Sequence, residues 1–135
     1  MASCNWAIAD LPGLSDEQAK LLQTQGIRTT HQLLIATQTP QQEHELAAKL
    51  QLHPQYLAKW IALADLARLS SVGVAHCGLI LHGGVASVDQ LAQTSFSRLH
   101  QSLTGLHVAN MRRRDLVPPI ALVKQWVMEA KQLSA

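Results

Sequence analysis

The chain has 135 residues, a length that one domain ordinarily fills and that excludes two large domains. Hydrophobic residues make up 47% and charged residues 15%, which excludes a disordered chain, and aromatic residues at 4% disfavour an all-β fold. The formal net charge is only +2, which excludes a protein that coats nucleic acid over its whole surface.

The first two predicted helices form a hairpin. Ser15 and Gln18 have the spacing of a capping box, so a helix begins there, and Gly26 ends it because glycine tolerates the left-handed conformation of a helix end. Thr29 and Gln32 repeat the capping-box spacing and begin the second helix. The intervening turn contains the glycine, so the two helices are expected to fold back on each other.

Two longer helices follow the hairpin. The pair Thr39 and Pro40 places a capping residue before a first-turn proline and begins the third helix. The pair His53 and Pro54 begins a fourth, which the apolar pattern continues to about Leu69. Because apolar residues recur at about 3.6-residue spacing in the fourth helix, one of its faces is expected to be buried.

The signals of the first hairpin recur 58 residues further along the chain. Residues 11–34 align with residues 69–92 without a gap, apolar positions stay apolar, and Gly26 falls on Gly84. Ser87 repeats the capping signature. Repeats shorter than a domain usually bury their apolar faces against each other, so the two copies are expected to share one core.

A closing helix is predicted from Pro119, with Trp126 on its apolar stripe and Lys124, Glu129 and Lys131 left for solvent. Each half of the chain thus ends in a proline-started helix that carries a tryptophan.

The sequence therefore predicts an all-α fold and a single domain of residues 1–135. Its two pseudo-repeated halves, residues 8–67 and residues 68–134, are packed as one compact unit.

The first hairpin carries a known motif. The segment Leu-Pro-Gly-Leu-Ser at residues 11–15, followed by apolar positions as far as Leu34, resembles a helix-hairpin-helix motif, and a second copy begins at residues 69–74. From Ile8 to Leu133 the chain resembles a bacterial domain-of-unknown-function family of tandem helix-hairpin-helix domains. That family is distantly similar to helix-hairpin-helix DNA-binding domains and to the C-terminal domain of the RNA polymerase alpha subunit. The resemblance implies a binding module built of two such halves.

The hairpin turns are the first candidate sites. In the motif, a Gly-hydrophobic-Gly turn presents backbone N–H groups that attract a phosphate. The first turn keeps only one glycine and lies among acids, whereas the second also keeps one glycine but has no acid nearby in sequence and follows Arg68. The second is thus the better phosphate candidate, and a purely structural turn is the alternative for both. The candidate turn residues are Pro12, Gly13, Leu14 and Ser15 in the first hairpin and Ser71, Val72 and Gly73 in the second.

A run of three arginines, Arg112, Arg113 and Arg114, is the only concentrated charge. Three adjacent side chains on a helix end point in different directions, so some of them must face solvent or a partner. The run either stabilises a helix C-terminus or grips carboxylates or phosphates in two-point contacts. Together with Arg68, these arginines are the candidate contacts to an anionic partner.

Cysteine and histidine spacings give no metal or catalytic pattern. Cys4 and Cys77 lie far apart in sequence and favour a reduced, cytoplasmic setting, and Cys77 is expected to lie in the core. The seven histidines lack the spacing of a zinc pair, and no nucleophile, phosphate-loop or paired-carboxylate motif is present. We therefore expect no metal, no cofactor and no enzymatic activity. The apolar tracts are interrupted before the ~20 residues that a membrane-spanning helix requires, so no span is expected.

Two function classes remain. The first is a non-catalytic protein–protein interaction adaptor or assembly factor, favoured by the near-neutral charge, the incomplete turns and the high apolar fraction. The alternative is weak, sequence-independent nucleic-acid binding through the second hairpin and the arginine run. The dependence of binding on salt separates the two classes.

Overall fold

Eight α-helices form the part of the chain that the structure, a computed structural model, describes: residues 3–106 and residues 118–134. No β-strand occurs in these two ranges, which contain one isolated antiparallel bridge between Ala7 and Thr29, so the predicted all-α fold is confirmed. None of the helices in the described ranges combines the length and the apolar character needed to cross a bilayer. A 3₁₀ turn at Ile8–Asp10 precedes α1 (Asp16–Thr24), α2 (Thr30–Ala36), α3 (Pro40–Lys49), α4 (Pro54–Leu66), α5 (Gly73–His82), α6 (Val88–Ala92), α7 (Phe96–Leu106) and α8 (Ile120–Ser134).

Polar caps begin α1 and α3, as the sequence predicts. The Ser15 hydroxyl accepts a hydrogen bond from the Gln18 N–H, and the Gln18 side chain accepts one from the Ser15 N–H. Thr39 and Gln42 form the same reciprocal pair, with Pro40 in the first turn of α3. The helix starts predicted at these two positions are confirmed.

The caps of α2 and α6 differ from the prediction in one bond. The Thr29 hydroxyl accepts from the Gln32 N–H, but the Gln32 Oε1 accepts from the Arg28 N–H at 2.7 Å rather than from the capping residue. In α6 the Gln90 Oε1 likewise accepts from the N–H of Ala86, the residue before the capping residue Ser87. The two capping boxes predicted here are therefore incomplete: only the bond from the helix N–H to the capping hydroxyl forms.

Glycines end α1 and α5. Gly26 and Gly84 have φ values of +80° and +97°, so the predicted left-handed helix ends are confirmed. At both helix ends the residue after the glycine donates its N–H to a carbonyl in the preceding helix, that of Leu22 in α1 and that of Ile80 in α5. These local features recur at the predicted spacing, while the arrangement of the whole chain as two repeated halves stays a prediction.

Replacing Gly26 or Gly84 by Val is expected to lower the free energy of unfolding by about 1 kcal/mol or more, because a β-branched residue resists positive φ. No neighbouring atom lies within 4 Å of a Cβ built at either glycine, so the cost comes from the backbone alone. Asn tolerates this conformation better, and Gly84→Asn is the control. Urea unfolding measures the effect, and an unchanged midpoint in the Val variants would contradict it.

α4 ends at Leu66, three residues before the predicted end at Leu69. The N–H groups of Arg68 and Leu69 donate to carbonyls three residues back, which is the tighter 3₁₀ pattern. The predicted extension is wrong because this tight turn redirects the chain into the second hairpin.

Buried side chains from both halves of the chain form one hydrophobic cluster. Trp60 in α4 and Trp126 in α8 are almost completely buried in it. α8 packs mainly against α6 and α7, whereas α4 packs against α2, α3 and α5. The prediction that Cys77 lies in the core is confirmed, and burial raises the pKa of its thiol to about 11, so the thiol is protonated at neutral pH.

Residues 3–11, the leading segment, contact both α2 and the chain between α4 and α5. The Trp6 carbonyl accepts from the Thr30 N–H in α2 at 2.8 Å, and the Trp6 N–H donates to the Thr30 hydroxyl at 3.0 Å. The indole N–H of Trp6 donates to the Ala67 carbonyl at 2.6 Å. The same indole lies over Gly73, where an added Cβ would come within 3.1 Å of the ring. The leading segment therefore joins α2 to the junction between α4 and α5.

Candidate functional site

The second candidate turn, residues 70–73, lies at the junction of α4 and α5 and is engaged by a carboxylate of the chain itself. Glu129 of α8 accepts hydrogen bonds from the Ser71 N–H at 3.0 Å, the Ser71 hydroxyl at 3.1 Å and the Ser70 hydroxyl at 2.8 Å. Glu129 is only 6% exposed, although its position on the predicted helix assigned it to solvent. An internal anion thus occupies the place that the turn offers to a phosphate.

Three further backbone groups of this turn are bonded within the chain. The N–H groups of Val72 and Gly73 both donate to the Leu69 carbonyl, and the Ser71 carbonyl accepts from the Trp126 indole N–H at 3.0 Å. The second turn has no acid nearby in sequence, but α8 folds back beside it and brings the carboxylate of Glu129 from 58 residues further along the chain.

The first turn, residues 12–15, has a cation beside it. Gly13 has a φ of +83°, and a Cβ built there would lie 3.8 Å from the Lys59 Nζ of α4. A cavity of about 90 Å³ at this point is lined in part by Lys59 and His82. Within the described residues, the N–H groups of Gly13 and Leu14 make no hydrogen bond. The sequence ranks the second turn as the better phosphate candidate. In the structure the first turn has the ammonium group of Lys59 nearby, whereas the second is bonded to the carboxylate of Glu129.

Arg68 is held in an ion pair. Its Nη1 lies 2.7 Å from the Asp65 Oδ1, and its Nε donates to the Ser3 hydroxyl at 3.2 Å. The second carboxylate oxygen of Asp65 accepts from the Val88 N–H at the start of α6. Asp65 thus links α4 to α6, and it neutralises the charge that the sequence assigns to an anionic partner.

The remaining candidates for anionic contacts, Arg112, Arg113 and Arg114, lie outside the described residues. Across residues 3–106 and 118–134, no three His, Cys, Asp or Glu side chains come together in the manner of metal ligands.

A cleft of about 250 Å³, the α2 cleft, opens between the leading segment, α2 and the end of α4. Leu34 and Ile35 supply its aliphatic surface, and Ile35 is 54% exposed. The other principal lining residues are polar or charged: Cys4, His31, Asp65 and Arg68. An exposed aliphatic side chain inside a concave surface with a polar rim is the composition of a docking site.

Among the residues that the structure describes, nothing covers one face of α8, the α8 outer face. Ile120 and Met128 are 47% and 52% exposed, and Lys124 lies between them with its Nζ 5.6 Å from the centre of the Phe96 ring. A depression of about 320 Å³ along this face is lined by Glu129 and by residues of the face itself: Ala121, Lys124, Gln125, Met128 and Gln132. The residues of the face are Ile120, Ala121, Lys124, Gln125, Met128, Lys131 and Gln132, all of which are exposed.

Residues 12–133 match the family described as Domain of unknown function (DUF4332). The chain belongs to this family. No curated protein and no solved structure matches it. The family match includes both hairpin turns, α2 and α8, and it begins just after the leading segment.

Sequence reasoning missed the α2 cleft and the pairing of Arg68, but both left a signal. Leu33, Leu34 and Ile35 are consecutive apolar residues, and three neighbours on a helix cannot all face one core. Asp65 and Arg68 stand at the i,i+3 spacing of a helical ion pair. These patterns indicate an exposed aliphatic residue on α2 and a neutralised arginine.

Proposed function

We propose that this protein is a non-catalytic protein-binding module that acts as an adaptor or assembly factor. The observation that supports it best is Ile35, more than half exposed at the α2 cleft beside the partly buried Leu34. Each Å² of apolar surface that a partner covers stabilises the complex by about 25 cal/mol, because that surface is removed from water. A protein surface is the partner class that recovers this energy.

Hydrogen bonding and charge favour a protein partner over nucleic acid. The donors of the second turn are bonded to Glu129, and the Arg68 guanidinium is paired with Asp65. A phosphate at that turn would have to displace a carboxylate that is held in place by the fold. Most of the affinity of nucleic-acid binding comes from cations that contact phosphates. The bonds of the second turn to Glu129 and of Arg68 to Asp65 therefore disfavour nucleic-acid binding.

We infer that the two hairpins are tandem helix-hairpin-helix units. The matching caps at Thr29 and Ser87, and the left-handed Gly26 and Gly84, support this inference. Because similar units occur in DNA-binding domains, weak, sequence-independent nucleic-acid binding is the second candidate function. The specific observation in its favour is Lys59, whose ammonium group lies beside the first turn.

The adaptor proposal is tested by Ile35→Ser. Loss of one buried aliphatic contact is expected to reduce the recovery of a bound partner by about tenfold, which corresponds to ~1.4 kcal/mol. Tyr56→Ser is the matched control, because Tyr56 is equally exposed at 55% but does not line the cleft. Proteins that co-purify with each variant are quantified by mass spectrometry, and unfolding curves check that both variants are folded. If no protein depends on Ile35 for its recovery, the proposal is overturned.

The nucleic-acid alternative is tested by titrating labelled duplex and single-stranded oligonucleotides at two salt concentrations. Near physiological salt we expect binding no tighter than about 10⁻⁴ to 10⁻⁶ M, the range of non-specific contacts. A variant with alanine at residues 112–114 reports the contribution of the arginine run. Submicromolar binding that is lost in this variant would replace the adaptor with the alternative.

A further inference from the structure

The charges of the chain are unevenly distributed. Residues 1–67 contain four basic and six acidic side chains, whereas residues 68–135 contain seven basic and three acidic ones. α8 shows how the excess reaches the surface: Lys124 and Lys131 are exposed, while the only acid of the helix, Glu129, is buried against the second turn. Glu129 also lines the depression along this face, but it is 6% exposed and its carboxylate is bonded to Ser70 and Ser71. The exposed charged side chains of the α8 outer face are therefore the two lysines.

The apolar residues of this face are placed for contact with another helix. Ile120, Lys124 and Met128 follow each other at one-turn spacing, and Lys131 lies one turn further on. At about 1.5 Å per residue, the face from Ile120 to Gln132 is about 18 Å long, enough for about three turns of a partner helix. The Phe96 ring lies beneath the Lys124 ammonium group and supports it at the centre of the face.

We propose that the α8 outer face docks an acidic amphipathic helix of a partner protein. Ile120 and Met128 contact its apolar stripe, and Lys124 and Lys131 pair with the carboxylates that border that stripe. The proposal rests on the proposed function as a protein-binding module, but this face shares no residue with the α2 cleft. Two separate surfaces allow an adaptor to hold two partners at once.

Charge and shape favour this occupant over nucleic acid or a lipid surface. Two lysines neutralise few phosphates, and a nucleic acid would leave Ile120 and Met128 without apolar contacts. Membrane-surface helices carry a broad apolar face with aromatic or leucine side chains, whereas this face offers two apolar side chains two turns apart. A protein helix with alternating carboxylates and aliphatic residues satisfies both kinds of group.

The test is an NMR titration of the full-length, isotope-labelled chain. The probe is a synthetic peptide of about five helical turns, with leucines at i, i+3, i+4 and i+7 and glutamates between them, and a scrambled peptide of the same composition is the comparison. We expect amide shifts to change at residues 120–132 and in α7, and the helical peptide to bind about tenfold more tightly than the scrambled one. Equal binding of the two peptides, or shifts centred on the α2 cleft, would overturn the proposal.

Variants separate this proposal from the adaptor proposal. Met128→Glu and Lys124→Glu are each expected to weaken peptide binding by about tenfold, because they place a negative charge opposite the glutamates of the peptide. Ile35→Ser should leave peptide binding unchanged, so the α2 cleft can fail its own test without affecting this one. Duplex DNA and phosphatidylserine-containing vesicles are titrated in parallel. Tighter binding of either than of the peptide, or self-association that Met128→Glu abolishes, would assign the face to a different occupant and overturn the proposal.

Discussion

Replacing Glu129 by Ala is expected to lower the free energy of unfolding by about 3 kcal/mol. Glu129 is 6% exposed, and its carboxylate accepts three hydrogen bonds from Ser70 and Ser71. Its removal leaves one N–H and two hydroxyl groups without their acceptor in a partly buried site, and it opens a gap between α8 and the turn. Chemical or thermal unfolding of the purified variant measures the loss.

Two further variants show whether the hydrogen bonds cause this loss. Glu129→Gln keeps one side-chain oxygen as an acceptor and is expected to lose about half as much stability. Glu45→Ala removes an exposed acid from α3 and should change stability by no more than about 0.5 kcal/mol. Equal unfolding midpoints for the Glu129→Ala and Glu45→Ala variants would mean that the contacts of Glu129 contribute nothing.

Gly73→Val is expected to lower the free energy of unfolding by about 2–4 kcal/mol, because it combines backbone strain with a steric clash. Gly73 has a φ of +54°, which a β-branched residue resists, and a Cβ there would lie 3.1 Å from the Trp6 ring. The ring cannot easily move away, since its N–H is bonded to the Ala67 carbonyl. The free energy of unfolding in urea gives the cost.

Gly84→Val separates the two penalties, because Gly84 also has positive φ but open space around it. Gly84→Val should lower the free energy of unfolding by about 1 kcal/mol, the part that comes from backbone strain alone. In a Trp6→Ala background the cost of Gly73→Val should fall to a similar value, a coupling that a double-mutant cycle measures. Equal losses at Gly73 and Gly84 in the parent chain would contradict the proposed clash with Trp6.

Helix boundaries could be predicted from sequence wherever the determining residues are close neighbours in the chain. Ser15 and Thr39 cap their helices through bonds to residues three positions away, and Gly26 and Gly84 end theirs through their own backbone conformation. Such signals are complete within one helical turn, so no tertiary information is required to read them.

The surroundings of the turns could not be predicted, because they depend on residues distant in sequence. Lys59 reaches the first turn from α4, and Glu129 reaches the second from α8. A helical pattern assigns any charged residue to solvent, so Glu129 was expected on the exposed face of α8 beside Lys131. The three donors of the second turn reverse that preference by replacing the hydrogen bonds that water would supply.

The leading segment bears on how the chain folds while it is being synthesised. The backbone of Trp6 is hydrogen-bonded to Thr30 in α2, which is synthesised 24 residues later. The indole N–H of Trp6 donates to the carbonyl of Ala67, 61 residues later, and the Cys4 N–H donates to the carbonyl of Arg68. A nascent chain that has finished α1 to α3 therefore holds a tryptophan whose partner has not yet left the ribosome. Completion of α4 supplies that partner and the turn into α5 together. The contacts between the leading segment and the chain after α4 can therefore form only once residues 67 and 68 have been synthesised.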